Sequence, residues 1–138
     1  SICLGMQMLF DASEEFGEYE GLGLIHGRVT RLPGTDVRGV PQRVPHIGWA
    51  PLLPADGRTD FAGTVLAGAA PEQECYFIHS YEAKPADPAD RLADTLYGGR
   101  PVGAAAARGA VVGCQFHPEK SGPVGLAILR QFLNICQK

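Results

Sequence analysis

The chain opens Ser1-Ile2-Cys3-Leu4-Gly5-Met6-Gln7-Met8-Leu9-Phe10. Ser1 to Gly5 reads as the tail of a strand turning straight into a helix. Met6, Leu9, Phe10 and Phe16 continue it as an apolar helical stripe that ends near Gly17. A sharp strand-to-helix turn lifts the thiol of Cys3 out of the sheet, and small neighbours, Ser1 and Gly5, let the turn close. The helix would aim its positive end at the sulfur and favour thiolate. The backbone N–H of Leu4, a first-turn donor with no helical partner, is available to a developing oxyanion.

Outward from this turn, strands dominate the middle of the chain. Leu24 to Leu32 reads as a strand closed by Pro33-Gly34, and Thr35 to Val40 as a turn-rich loop. Arg43 to Leu53 looks extended, Pro54 to Arg58 a turn, and Thr59 to Pro71 a short helical turn within a loop. Cys75 to Ala83 reads as one aromatic-rich strand, and Pro85 to Asp90 as a surface loop. Leu92 to Tyr97, Val102 to Ala107 and Ala110 to Phe116 are strands separated by Gly98-Gly99 and Arg108-Gly109. Leu126, Leu129, Phe132, Leu133 and Cys136 follow helical spacing, an amphipathic closing helix with Ser121 as its cap. The expected class is therefore α/β, a mixed β-sheet flanked by helices.

The 138 residues fit one domain, 1–138, with room for a core. Hydrophobic content is 45% and charged content 20%, the composition of a soluble globular protein. A net charge of −3 argues against nucleic acid, which needs a basic surface. No apolar run reaches membrane-spanning length and no basic-then-apolar leader is present, so no membrane or secretion is expected. The four cysteines are scattered without CxxC pairs, which fits reduced thiols in a cytoplasmic protein. Cys75, Cys114 and Cys136 fall on apolar faces and read as core. No histidine shows zinc-type spacing with a thiol or carboxylate, so no metal and no cofactor is expected.

A thiol nucleophile needs a base, and the base needs an orienting group. Among four histidines, His117 follows the apolar run Val111-Val112-Gly113-Cys114-Gln115-Phe116, at the strand end where α/β sheets place their chemistry. Glu119 lies two residues on, and the turn at Pro118 can return its carboxylate to the imidazole. Singly, a cysteine beside a glycine reads as an inert buried residue and a strand-end histidine as structural. The joint pattern is what favours a Cys3–His117–Glu119 triad.

Cys3-Leu4-Gly5-Met6-Gln7 together with Gln115-Phe116-His117-Pro118-Glu119 resembles the class I (triad) glutamine amidotransferases, over essentially the whole chain. Val44-Pro45-His46-Ile47-Gly48-Trp49, Tyr76-Phe77-Ile78-His79-Ser80-Tyr81 and Pro118-Glu119-Lys120-Ser121 are similar to the glutaminase subunits of imidazole glycerol phosphate synthases, in histidine biosynthesis. The resemblance implies a flavodoxin-like fold and hydrolysis of L-glutamine through a glutamyl thioester on Cys3. His117 would shuttle the proton and Glu119 orient it. Leu4, Gln7, Ser80 and Tyr81 would hold the substrate. Pro45, Ile47, Trp49, Tyr76 and Lys120 would face a (β/α)₈ cyclase subunit in a heterodimer, which receives the ammonia. Trp49 could otherwise be core. Ser1 stands where the family usually has Gly, and Ala50 where it often has Asn. The family's chain begins well before the elbow, so the expected fold lacks its N-terminal part, including the lead-in strand and a second oxyanion donor. The alternatives are another triad glutaminase, of the anthranilate or guanylate synthase type, or a non-catalytic module that keeps the motifs.

Overall fold

The computed structural model describes residues 1–137. In chain order its elements are α1 (Leu4–Gln7), β1 (Ala12–Ser13), β2 (Tyr19–Glu20), β3 (Gly27–Arg31), β4 (His46–Pro51) and β5 (Leu53–Pro54), followed by a 3-10 turn at Val65–Gly68. Next come β6 (Glu74–His79), β7 (Tyr81–Pro85), a 3-10 turn at Pro88–Asp90, β8 (Arg91–Tyr97), β9 (Arg100–Arg108) and β10 (Val111–Cys114). A 3-10 turn at Pro118–Lys120 leads into α2 (Gly122–Cys136). The α/β class stands, but the strands are shared among three sheets. They run β2-β1-β3-β7, with β1 and β3 parallel, then an antiparallel β10-β9-β8-β5, then the antiparallel pair β4-β6. Ile2 adds a parallel bridge to Cys114 at the edge of β10.

β9 divides the interior. Ala104 and Ala105 contribute to a core built on Phe61, Leu66, Phe77, Phe116 and Ile128. Ala106 faces a second core with Met6, Phe10, Ile25 and Val29. The run of small side chains in β9 lets both cores approach one strand. Gly113 on β10 serves the same end. A Cβ there would lie 2.6 Å from Met6 Cγ, so glycine is what lets α1 lie on the strand.

Four expectations are corrected. The first helix ends at Gln7 rather than near Gly17. The carbonyls of Met8, Leu9 and Phe10, which a longer helix would need, accept instead from Leu22, from Leu24 and Ile25, and from Gly23. Met6, Leu9 and Phe10 are nevertheless buried, whereas Phe16 is 88% exposed. The single strand expected over Cys75 to Ala83 is two strands, because Ser80 interrupts it. β6 pairs with β4 while β7 crosses to β3, and the Ser80 carbonyl accepts from Leu32 N–H. Ser121 occupies the N-cap position of α2 without a capping bond. Cys136 is exposed, not core. Only Gly125 and Ile128 of α2 are buried, and Leu126, Phe132 and Leu133 are exposed. No helix among the described residues is long and apolar enough to cross a membrane.

Candidate active site

Ile2 pairs in parallel with Cys114, so Cys3 and the segment Gln115–His117 leave the sheet at the same end. Cys3 turns there with φ 53° and ψ −113°, a conformation that L residues rarely adopt. Its N–H donates to the Cys114 carbonyl (2.7 Å) and its carbonyl accepts from Gln7 N–H (3.2 Å), which fastens both sides of the turn. Such strain persists only where the surroundings impose it, and it gathers at functional sites. The Leu4 N–H is directed at the thiol.

Burial pushes the Cys3 thiol above its ordinary value. The Leu4 N–H pulls the other way, the charges of Glu119 and Glu15 push up, and the Gln115 amide pulls down. The thiolate expected from a helix N-terminus is therefore not favoured overall. α1 is a single turn, and dehydration outweighs it.

His117 begins the 3-10 turn after β10, and its Nδ1 meets Glu119 Oε1 at 2.7 Å. The carboxylate is placed as anticipated. Burial disfavours its charge. Its own backbone N–H, the His117 hydrogen bond and the nearby charges of His117 and Lys120 nonetheless hold Glu119 below the usual carboxylate value. The turn itself is pinned to β6. His117 N–H donates to the Tyr76 carbonyl (3.0 Å), Tyr76 N–H donates to Ser121 Oγ (3.0 Å), and Ser121 Oγ donates to the His117 carbonyl (2.6 Å). Gly125 closes the turn from behind, since a Cβ there would lie 1.9 Å from the Pro118 carbonyl oxygen.

A cleft of 200 Å³ opens at Cys3, lined by Leu4, Gln7, Glu15, Ile78, His79, Ser80 and Tyr81. Every substrate-binding residue expected from the sequence is on its wall. The thiol also lies 3.9 Å from the Ile78 carbonyl oxygen. Gln7 is buried, and its Nε2 donates to the Tyr81 carbonyl (3.0 Å) and to Gln115 Oε1 (2.9 Å), so only its oxygen remains for a ligand. His79 Nδ1 donates to the same Tyr81 carbonyl (2.9 Å), while its Nε2 has no partner. Burial drives His79 down to about 4; the Tyr81 bond opposes this and nearby His46 adds to it. No group of three or more potential metal ligands occurs among the described residues.

The sequence reading missed Glu15, Gln115 and the true use of Ser121. Gln115 carried a signal, as a glutamine inside an apolar strand must find partners when buried. Glu15 carried none, because a surface acid beside Glu14 looks like solvated charge.

The residues expected at a partner surface share the outer side of β4 and β6. Ile47 pairs across with Ile78 and Trp49 with Tyr76, while His46, Ala50, Cys75, Phe77 and His79 alternate inward. Trp49 is 54% exposed and meets Tyr76 edge to face at 6.1 Å. Pro45 is half-buried at the entry to β4, and Lys120 is exposed on the turn that borders β6.

A family model for glutamine amidotransferase class-I matches residues 1–136. Among curated proteins, the chain is similar to imidazole glycerol phosphate synthase subunit HisH 1 of Legionella pneumophila (strain Lens), 48% identical over 134 residues. That match covers 97% of this chain and 63% of the relative. The HisH subunit of Geobacillus kaustophilus is also 48% identical, over 97% of this chain and 60% of its own length. That of Rhodospirillum rubrum is 45% identical, over 96% and 58%. The chain thus spans about three fifths of the relatives it matches.

Proposed function

The chain belongs to the class I glutamine amidotransferases, and from that premise we propose that it is the glutaminase component of an imidazole glycerol phosphate synthase. The observation that carries this reading is the His117–Glu119 pair after β10, at the end of the sheet where the strained Cys3 also leaves it. The HisH names of the relatives supply the pathway.

Glutamine would enter the cleft with its side-chain amide at the thiol. Glu15 is the anion suited to its ammonium group, and the free Gln7 oxygen and the Ser80-Tyr81 segment offer acceptors and donors for the amino-acid end. Because Nδ1 of His117 is engaged by Glu119, Nε2 is left to take the Cys3 proton. The sulfur attacks the amide carbon, and the Leu4 N–H supports the oxyanion. His117 returns the proton to the departing nitrogen, which leaves as ammonia. Water, deprotonated by His117, then cleaves the thioester and releases glutamate. A thiol whose proton is held by burial suits this scheme, since the base removes it only when substrate is in place.

The ammonia would pass to a (β/α)₈ cyclase subunit docked on the outer side of β4 and β6, with Pro45, Ile47, Trp49, Tyr76 and Lys120 at the contact. An exposed apolar pair of strands with an aromatic anchor and a cation at its border fits such a surface. The test is glutamate release from L-glutamine, with and without the cyclase subunit and its nucleotide substrate. Turnover raised by the cyclase, and co-elution with it, is expected. No co-elution and no turnover would end the proposal.

A further inference from the structure

Gln115 is fully buried, at 0% exposure, between the two groups that matter most in the cleft. Its Nε2 lies 3.7 Å from Cys3 Sγ, and its Oε1 accepts from Gln7 Nε2 at 2.9 Å. The orientation of both amides follows from an atom that can only accept. The Tyr81 carbonyl already receives His79 Nδ1 and must receive a hydrogen from Gln7, so Gln7 presents its nitrogen there. The second hydrogen of that nitrogen goes to Gln115, which must therefore present its oxygen to Gln7. Its own nitrogen is left facing the sulfur. Gln7 thus donates twice, to the Tyr81 carbonyl and to the Gln115 oxygen, and Gln115 donates in turn to the sulfur.

We propose that Gln115 is a catalytic residue that donates to the Cys3 sulfur, and that Gln7 is a positioning residue that keeps the Gln115 amide from reversing. A donor at the sulfur favours thiolate over thiol, whereas a reversed amide would present its oxygen and repel the charge. The same linkage turns the Gln7 oxygen away from the protein groups, so the grip on substrate and the readiness of the thiol are set by one network. The charged and titratable groups around the sulfur are Glu15 from the loop after β1, Glu119 and His117 from the turn after β10, and His79 from the end of β6. All of them are retained in the variants below.

The inference rests on Cys3 as the nucleophile, but its test needs no glutamine. Iodoacetamide alkylation of Cys3 is followed against pH in the parent protein, in Gln115→Met and in Gln7→Met, with thermal unfolding recorded alongside. Gln115→Met is expected to move the alkylation midpoint up by about one unit and to slow alkylation about tenfold below it. Gln7→Met, which does not touch the sulfur, is expected to move it the same way by about half as much. A midpoint unmoved in a cooperatively folded Gln115→Met protein overturns the proposal, even if its stability falls. If Gln115→Met does not fold, an unmoved midpoint in Gln7→Met overturns it alone. A shifted midpoint in a protein that never hydrolyses glutamine would sustain the network while refuting the glutaminase reading.

Discussion

Cys3 and His117 stand at the same end of β10, yet the chain holds them differently. Cys3 sits at φ 53°, ψ −113° on a helix of one turn, with its thiol pushed up by burial. His117 has ordinary extended backbone, φ −102° and ψ 97°, and is held by two hydrogen bonds between its turn and β6 and a third within the turn. The proposed nucleophile is positioned by strain that its neighbours impose, and the proposed base by bonds that its own turn and β6 supply. The difference predicts opposite responses to substitution. Relaxing the elbow should stabilise the protein while destroying activity, whereas loosening the turn should cost stability and activity together.

The largest effect tests the elbow. Cys3→Gly is expected to lower glutaminase turnover by at least about three orders of magnitude, as loss of a nucleophile does. It should also raise stability by about 1 kcal/mol in urea titration. Relief of about 1–3 kcal/mol of backbone strain is offset by about 0.5–1 kcal/mol of glycine entropy. A destabilised Cys3→Gly protein would remove the contrast.

The next effect comes from β6, which links the two regions. The folded value of His79 is lowered, from 6.5 to about 4, so the unfolded chain takes up a proton that the native one refuses. The stability this contributes is complete above pH 6.5 and is lost as pH falls towards 4, roughly 3 kcal/mol at about 1.4 kcal/mol per unit. Urea midpoints across that range should fall in the parent and flatten in His79→Asn.

On the turn, Gly125→Ala should destabilise by about 2 kcal/mol, since the new methyl meets the Pro118 carbonyl oxygen and the helix must move. Ser121→Ala should cost about 1–2 kcal/mol, because Tyr76 N–H loses its acceptor. Both should slow turnover by displacing His117. Unchanged turnover in these variants would mean that the turn does not position the base.

The local chemistry was legible in the sequence where it is carried by residues close together. The elbow at Cys3, the His117–Glu119 pair and the burial of Cys75 and Cys114 all follow from spacing of a few residues. Three misreadings share one physical cause, a competing partner far along the chain. α1 stops because residues 22–25 take the carbonyls of Met8, Leu9 and Phe10. The run from Cys75 to Ala83 divides because Ser80 is claimed by Leu32. Ser121 leaves its capping role for Tyr76.

Cys3 and His117 are proposed to act together on glutamine. Intact mass after treatment with the glutamine-like electrophile 6-diazo-5-oxo-norleucine tests it most directly, in the parent, Cys3→Ala and His117→Ala proteins. One adduct is expected, mapped to Cys3, absent from Cys3→Ala and at least tenfold slower in His117→Ala. Labelling of His117→Ala at the parent rate, or of Cys3→Ala at all, would contradict it.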